Sequence, residues 1–301
     1  MDAPHARSLP PPSLATLNPP IRGYRYFAAA AHWPFVSGQG IDSLRNTWWM
    51  AEHALLAYAE PGVVLAALEA HDYRVQVFQD PASSGHAYVA VTADHAVLAF
   101  RGTETVNPGD APGKIIEVAR DWRVDARFGQ VPLAEVGLAH GGFVSALDAL
   151  WPQIEPCLAL APRWWCTGHS LGGALAALAA LRLHRAGHAL AGAITFGQPR
   201  CGDRVLAQAL DALPLRRVVN GCDLVPRLPP SRLGFKHGGQ RLHLDAQRLR
   251  DYGATLRAHL REFPRTLRHG PGALTPIELI DHAPLHYAIK CHNAVVAGEA
   301  P

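Results

Sequence analysis

Gly168-His169-Ser170-Leu171-Gly172 sets a serine between two glycines, directly after the apolar run Trp164-Trp165-Cys166-Thr167. A Gly-x-Ser-x-Gly turn between a strand and a helix holds its serine in a strained backbone conformation with the hydroxyl exposed. Side chains at Gly168 or Gly172 would collide with so tight a crossing. The chemistry open to such a serine is nucleophilic attack on an acyl carbon. A structural glycine-rich turn is the bland alternative. Leu171 to Leu181 then consists almost wholly of small or helix-forming residues. The start of that helix would put free N–H groups and a positive dipole end beside Ser170, suited to an oxyanion.

A serine hydroxyl attacks well only when a histidine takes its proton, and the histidine needs a carboxylate to fix its tautomer. In this sheet context the partners should follow in the order Ser, Asp, His, each just past a strand. Asp223 directly follows the apolar stretch Leu215 to Asn220, and Leu224-Val225-Pro226 stiffens its loop. Asp203, Asp211, Asp245 and Asp251 sit in polar or helical surroundings and read as surface residues. The base is sought among His237, His243, His259, His269, His282, His286 and His292. His282 falls on a loop, Leu279 to Pro284, ahead of a terminal helix. His286 and His292 fall inside that helix and read as ordinary polar positions. Asp281 could compete for His282, but adjacent side chains do not easily make the buried bond. Position alone leaves His282 one candidate among several.

The elements that must hold these residues alternate. Helices are expected over Asn46–Tyr58 and Val63–Leu68, with Pro61-Gly62 ending the first. Strands are expected at Tyr73–Phe78, Tyr88–Val91 and Ala96–Phe100. Val136–Phe143 should lead into a helix reaching Leu160. Around Ser170, strands at Ala193–Phe196 and Leu215–Asn220 alternate with helices, one of them over Val205–Leu213. This is an α/β pattern: a mostly parallel central sheet with helices on both faces and an antiparallel start. Residues 1–22, rich in proline and without period, are expected to be disordered, and 23–301 to form one domain.

Composition narrows the rest. The 301 residues are 49% hydrophobic and 18% charged, enough for a large single core. A net charge of +3 is too small to suggest a nucleic-acid partner. The five cysteines, Cys157, Cys166, Cys201, Cys222 and Cys291, lack metal-ligand spacing and favour free thiols. With no basic head and apolar run at the start, and no run of about 18–20 apolar residues, a cytoplasmic protein is expected. Signal-independent export is compatible with the same residues. Nothing here fixes an oligomeric state.

Seven segments, taken together, resemble the class 3 lipases, the fungal-lipase-like family of α/β-hydrolases. They are Phe100–Thr103, Asp121–Asp125, His140–Phe143, Gly168–Gly173, Thr195–Arg200, Asp223–Pro229, and Asp281-His282 with Tyr287 beyond. The resemblance implies the α/β-hydrolase fold and a Ser170–Asp223–His282 triad. It also implies an oxyanion hole at Thr103 and the N–H of Leu171, and it implies no metal or organic cofactor. It points to a serine carboxylic-ester hydrolase acting on fatty-acyl esters such as acylglycerols. A phospholipase A, a thioesterase or a catalytically silent scaffold are the alternatives. Arg101 with Asp121 or Asp125 reads as a structural ion pair, and His140 and His169 as supports of the cleft. In the fungal members a lid helix closely follows the oxyanion residue. Here Glu104–Ala119 is longer and turn-rich, with a small apolar face at Ile115, Ile116 and Val118, so a lid and a plain surface loop both fit. Ala246–Phe263 carries one apolar stripe on an otherwise arginine-rich segment. It reads either as a helix packed on the domain or as one making transient contact with an anionic lipid surface.

Overall fold

The computed structural model describes residues 4–11, 19–21, 23–80, 85–103, 129–245 and 277–298. Seven strands form the main sheet: β1 (Arg74–Asp80), β2 (Gly85–Val91), β3 (Ala96–Phe100), β6 (Trp164–His169), β7 (Leu190–Phe196), β8 (Leu215–Asn220) and β9 (Gln240–Leu244), in that spatial order. β1, β2 and β3 are antiparallel. From β3 onward every pairing is parallel. The antiparallel start and parallel remainder are those expected. Two features were not foreseen. One is a hairpin of β4 (Gln130–Leu133) and β5 (Gly137–His140). The other is β9, whose charged alternate positions disguise an edge strand.

Helices cover both faces. On one side lie α3 (Gly141–Ile154), α4 (Leu171–Arg185) and α5 (Arg204–Asp211), with Phe143, Leu147, Leu175, Leu178 and Leu206 in a shared core. α3 gives way to a short 3-10 turn over Glu155–Leu160. On the other side lie α1 (Leu44–Leu56) and the terminal α7 (Pro284–Ala297), packed on β3, β6 and β7. α1 begins two residues earlier than the apolar spacing suggests, because Ser43 caps it by accepting from Asn46 N. Pro61 does not end that helix. It occupies the first turn of α2 (Pro61–Glu69), where its missing N–H costs nothing.

Part of the stretch expected to be disordered is tied down. Arg7 N donates to Asn293 Oδ1 at 2.7 Å, and Asn293 Nδ2 returns a bond to Arg7 O at 2.9 Å. Glu104–Ala119, Asp121, Asp125, Asp251, His259, His269 and the arginine-rich Ala246–Phe263 lie outside the described residues. No helix among those described is long and apolar enough to cross a membrane.

α1 buries one charge-bearing side chain completely. Glu52 accepts from Tyr24 OH at 2.8 Å and Trp48 Nε1 at 3.0 Å through one oxygen, and from Phe27 N at 3.2 Å through the other. Burial outweighs these donors and pushes its carboxyl from 4.5 to about 6. A carboxyl with a raised folded pKa holds its proton more tightly in the folded chain. Its stabilising contribution is therefore complete below pH 4.5 and lost as pH rises through about 6. Glu52→Gln removes this dependence. The stability of the natural chain relative to the variant should fall by about 2 kcal/mol across that window, as read by urea unfolding. A gap constant with pH would refute the assignment.

Candidate active site

Ser170 stands alone between β6 and α4, with φ 59° and ψ −126°. A β-carbon rarely tolerates that conformation, so the surroundings must impose it. They do so by close approach. A Cβ on Gly172 would run into the Phe100 carbonyl and lie 2.8 Å from the Arg101 carbonyl carbon, while one on Gly168 would strike the Gly172 carbonyl. The pentapeptide glycines let β3, β6 and the first turn of α4 meet without side chains between them. Ser170 N donates to Phe196 O at 2.9 Å, which fixes the turn to β7.

The three residues singled out from sequence come together. His282 Nε2 lies 3.0 Å from Ser170 Oγ, and His282 Nδ1 lies 2.9 Å from Asp223 Oδ2. With the carboxylate on Nδ1, that nitrogen carries the proton and Nε2 faces the serine as an acceptor. Ser170, Asp223 and His282 are all buried. Their setting differs from expectation in one respect. His282 closes a short helix, α6 (Ile277–His282), and Ala283 alone separates it from α7.

Among the described residues, the Asp223 carboxylate takes three bonds. Beside His282 it accepts from Val225 N at 2.9 Å and from Tyr287 OH at 2.6 Å. Burial and the neighbouring carboxylate push the Tyr287 phenol well up, so it stays a donor. The same hydroxyl accepts from Asn220 N at 3.0 Å, joining α7 to the end of β8. Tyr287 was noted in sequence only as a position beyond the histidine. Nothing there marks it as a support, since a tyrosine in an apolar helix reads as core.

His169 has a support role that can now be specified. Burial, then His282, hold its pKa well below the ordinary imidazole value. The neutral ring can donate from one nitrogen only. Its Nε2 lies 2.7 Å from the His282 carbonyl and its Nδ1 lies 2.9 Å from Tyr58 OH. Nε2–H therefore donates to the backbone of His282, and Tyr58 donates to Nδ1. Tyr58 is wedged against Gly102, where no side chain would fit. Its part was not legible, because it follows α1 and reads as helix end.

Thr103 lies three residues beyond β3. Phe100 pairs with Gly168, so Thr103 and Ser170 emerge past the same end of adjacent strands. Leu171 opens α4, in the first turn, where backbone N–H groups lack intrahelical acceptors. The rejected candidates are occupied elsewhere. Asp203 caps α5 through Leu206 N, and Asp211 accepts from Gly239 N. Asp245 pairs with Lys290. Asp281 is buried and accepts from Cys222 N at 2.8 Å, bracing the Asp223 loop from behind. His237 binds the Pro226 carbonyl, and His292 binds that of His5. His140 stacks on Phe143 at 4.1 Å. Among the described residues no group of His, Cys, Asp or Glu is set to hold a metal ion.

A strained serine, a tautomer-fixed histidine and a buried carboxylate on a parallel sheet define a serine-hydrolase type of site. Comparison with known proteins gives the following likenesses. The family described as Lipase (class 3) matches residues 97–233. A lipase from Rhizomucor miehei is 46% identical over 157 residues, 48% of this chain and 40% of its own. The secreted mono- and diacylglycerol lipase 1 of Fusarium solani is 34% identical over 145 residues, 44% of this chain and 43% of its own. Lipase II from Rhizopus niveus superposes with a TM-score of 0.54 at 25% identity, over 66% of this chain and 80% of that one. So does a triacylglycerol lipase whose catalytic centre is described as a serine protease triad: TM-score 0.54, 25% identity, 66% of this chain and 78% of its own. Over residues 97–233 the chain is similar to the class 3 lipases, and it has the α/β-hydrolase fold. It spans less than half the length of the two curated relatives just named.

Tyr287→Phe removes one donor from Asp223 and leaves Asn220 N without its acceptor. The variant should fold, with its thermal midpoint lowered, because a buried N–H left unpaired costs about 1–3 kcal/mol. Labelling of Ser170 by a fluorophosphonate should slow about tenfold, a loss of about 1.4 kcal/mol in the transition state. An unchanged labelling rate would show that Tyr287 only packs.

Proposed function

We propose that the chain is a serine carboxylic-ester hydrolase that cleaves fatty-acyl esters such as acylglycerols through an acyl-enzyme. The observation that carries this reading is His282 bridging Ser170 Oγ and Asp223 with its proton on Nδ1. In the first half, His282 Nε2 removes the Ser170 proton as Oγ attacks the ester carbon. Asp223 stabilises the imidazolium. Thr103 and the N–H of Leu171 hold the oxyanion, the position where charge develops. The imidazolium then protonates the departing alcohol. In the second half, His282 takes a proton from water, the hydroxide attacks the acyl-serine, and the acid leaves with Ser170 restored. No step calls for a metal or organic cofactor.

The same reading takes residues 23–301 as one domain and lipid esters as the partners, with no nucleic acid. The names of the relatives support acylglycerols over the phospholipase, thioesterase and scaffold alternatives. The expected cytoplasmic location draws support from five free, buried cysteines. Against it, two kinds of relative are named secreted lipases, from Fusarium solani and Penicillium cyclopium.

Ser170→Ala should lower kcat by roughly 10⁵–10⁶ without unfolding the chain, because the triad acts as a unit. Asp223→Asn and His282→Ala should be severely impaired, and Asp281→Asn and His286→Ala much less so. A p-nitrophenyl ester series, from short to long chains, supplies the measurement. More than a few per cent of activity left in Ser170→Ala would sink the reading.

The small apolar face read in Glu104–Ala119 bears on substrate range. A lid that opens onto oil needs enough apolar area for the interface to compensate its exposure, at roughly 25 cal/mol per Å². Three branched residues supply little. Dissolved short- and medium-chain esters should therefore be cleaved, with weak activation at an oil surface. Rate against tributyrin concentration through its solubility limit tests this. A sharp rise only above that limit, with dissolved esters untouched, would overturn it.

A further inference from the structure

β8 and β9 place Arg217 opposite Arg241 and Val219 opposite His243. Residues two apart share a face of a sheet, so these side chains line one cavity, of about 290 Å³. Arg200, Arg227 and His237 complete its wall, and Asp223 bounds it next to the triad. The cavity thus lies at the carboxyl end of parallel strands, where α/β sheets bind ligands.

Its charges are unbalanced. Arg217 is 7% exposed and donates Nε to Gly238 O at 2.8 Å and Nη2 to Gly239 O at 3.3 Å. Arg200 donates to the carbonyls of Arg227 and Pro229. Among the described residues no carboxylate bonds either guanidinium. Asp211 is spent on Gly239 N, and Asp223 on Val225, Tyr287 and His282. A cation taken out of water is costly until an anion joins it.

The cavity also presents acceptors. His237 Nε2 lies 2.6 Å from the Pro226 carbonyl and so carries the ring proton. Burial, with Arg217 nearby, pushes its pKa down to about 3, so the ring is neutral and Nδ1 bears a lone pair. His243 is bonded to the Gly221 backbone and is likewise held below its ordinary value. Among the described residues, the Nδ1 atoms of both rings are buried without a partner. A matching ligand must therefore accept from guanidinium groups and donate to imidazole nitrogens.

We propose that this cavity binds a phosphate group, carried by inorganic phosphate or by a phospholipid headgroup. Phosphate oxygens suit the guanidinium forks. A protonated phosphate oxygen, or a hydroxyl on the headgroup, donates to the two imidazoles. Sulfate meets only the first requirement, since it carries no proton near neutral pH. The proposal goes beyond the hydrolase reading and does not depend on it.

Calorimetric titration of the full chain tests it without any ester cleavage. Inorganic phosphate should bind saturably, and sulfate about tenfold or more weakly. Arg227→Glu and Arg241→Glu change exposed residues and should fold, as thermal unfolding checks. Each should weaken phosphate binding by about tenfold or more. Glycerophosphoglycerol distinguishes the sources: binding at least as tight as phosphate assigns the headgroup, and weaker binding assigns the free ion. No saturable phosphate binding by the folded natural chain overturns the proposal. So does unchanged affinity in both folded variants, or sulfate binding as well as phosphate.

Discussion

The Asp223 carboxylate is a charge removed from water, and the site is arranged around what that demands. A buried anion must be fully hydrogen-bonded or it will take up a proton instead. Three donors reach it, and each comes from a different part of the chain: Val225 N from its own loop, Tyr287 OH from α7, and Nδ1–H from His282 at the end of α6. The loop, the terminal helix and His282 are therefore positioned by one electrostatic requirement. Asp281 works on the same loop from the opposite side. It binds Cys222 N and packs so closely on Gly221, at φ 42°, that a Cβ there would lie 2.5 Å from its Oδ2. Two adjacent residues, Asp281 and His282, thus face opposite sides of one loop.

The serine side is governed by steric exclusion. Gly168, Gly172 and Gly102 let backbone meet backbone and let Tyr58 reach His169. The strained Ser170 conformation persists because β3, β7 and α4 close around it. Strain of about 1–3 kcal/mol is tolerable only in so over-determined a setting. The two halves meet through His169, whose ring joins Tyr58 to the backbone of His282. His282 is consequently held at its side chain by Asp223 and at its carbonyl by His169.

Much of this was legible. The glycines around Ser170 announce the turn, and the apolar run before Asp223 announces a strand end. The antiparallel-to-parallel sheet follows from the spacing of apolar segments. What escaped did so for physical reasons. Pro61 and Pro284 look like helix breakers, yet both occupy first turns, so α2 starts at the supposed stop and α6 nearly abuts α7. β9 is an edge strand whose arginine and histidine line a cavity, so its alternation reads as polar loop. Tyr58 and Tyr287 act through single hydroxyls, and a pattern of apolar positions cannot tell a phenol that bonds from one that packs. Asp281 adjoins His282 in sequence, and only its direction toward Cys222 N separates it from Asp223.

His282 stands 112 residues after Ser170. α7, which supplies Tyr287, is the last helix described and packs against α1, among the first. During synthesis from the N-terminus, the Ser170 turn can form while His282 and α7 are still being made. A nascent chain at that stage has a serine with no base and an Asp223 carboxylate with neither imidazole nor phenol to hold it. The order of the chain brings Ser170, Asp223 and His282 together only once α6 and α7 have been made, so a nascent chain that stops short of them holds the serine without its imidazole.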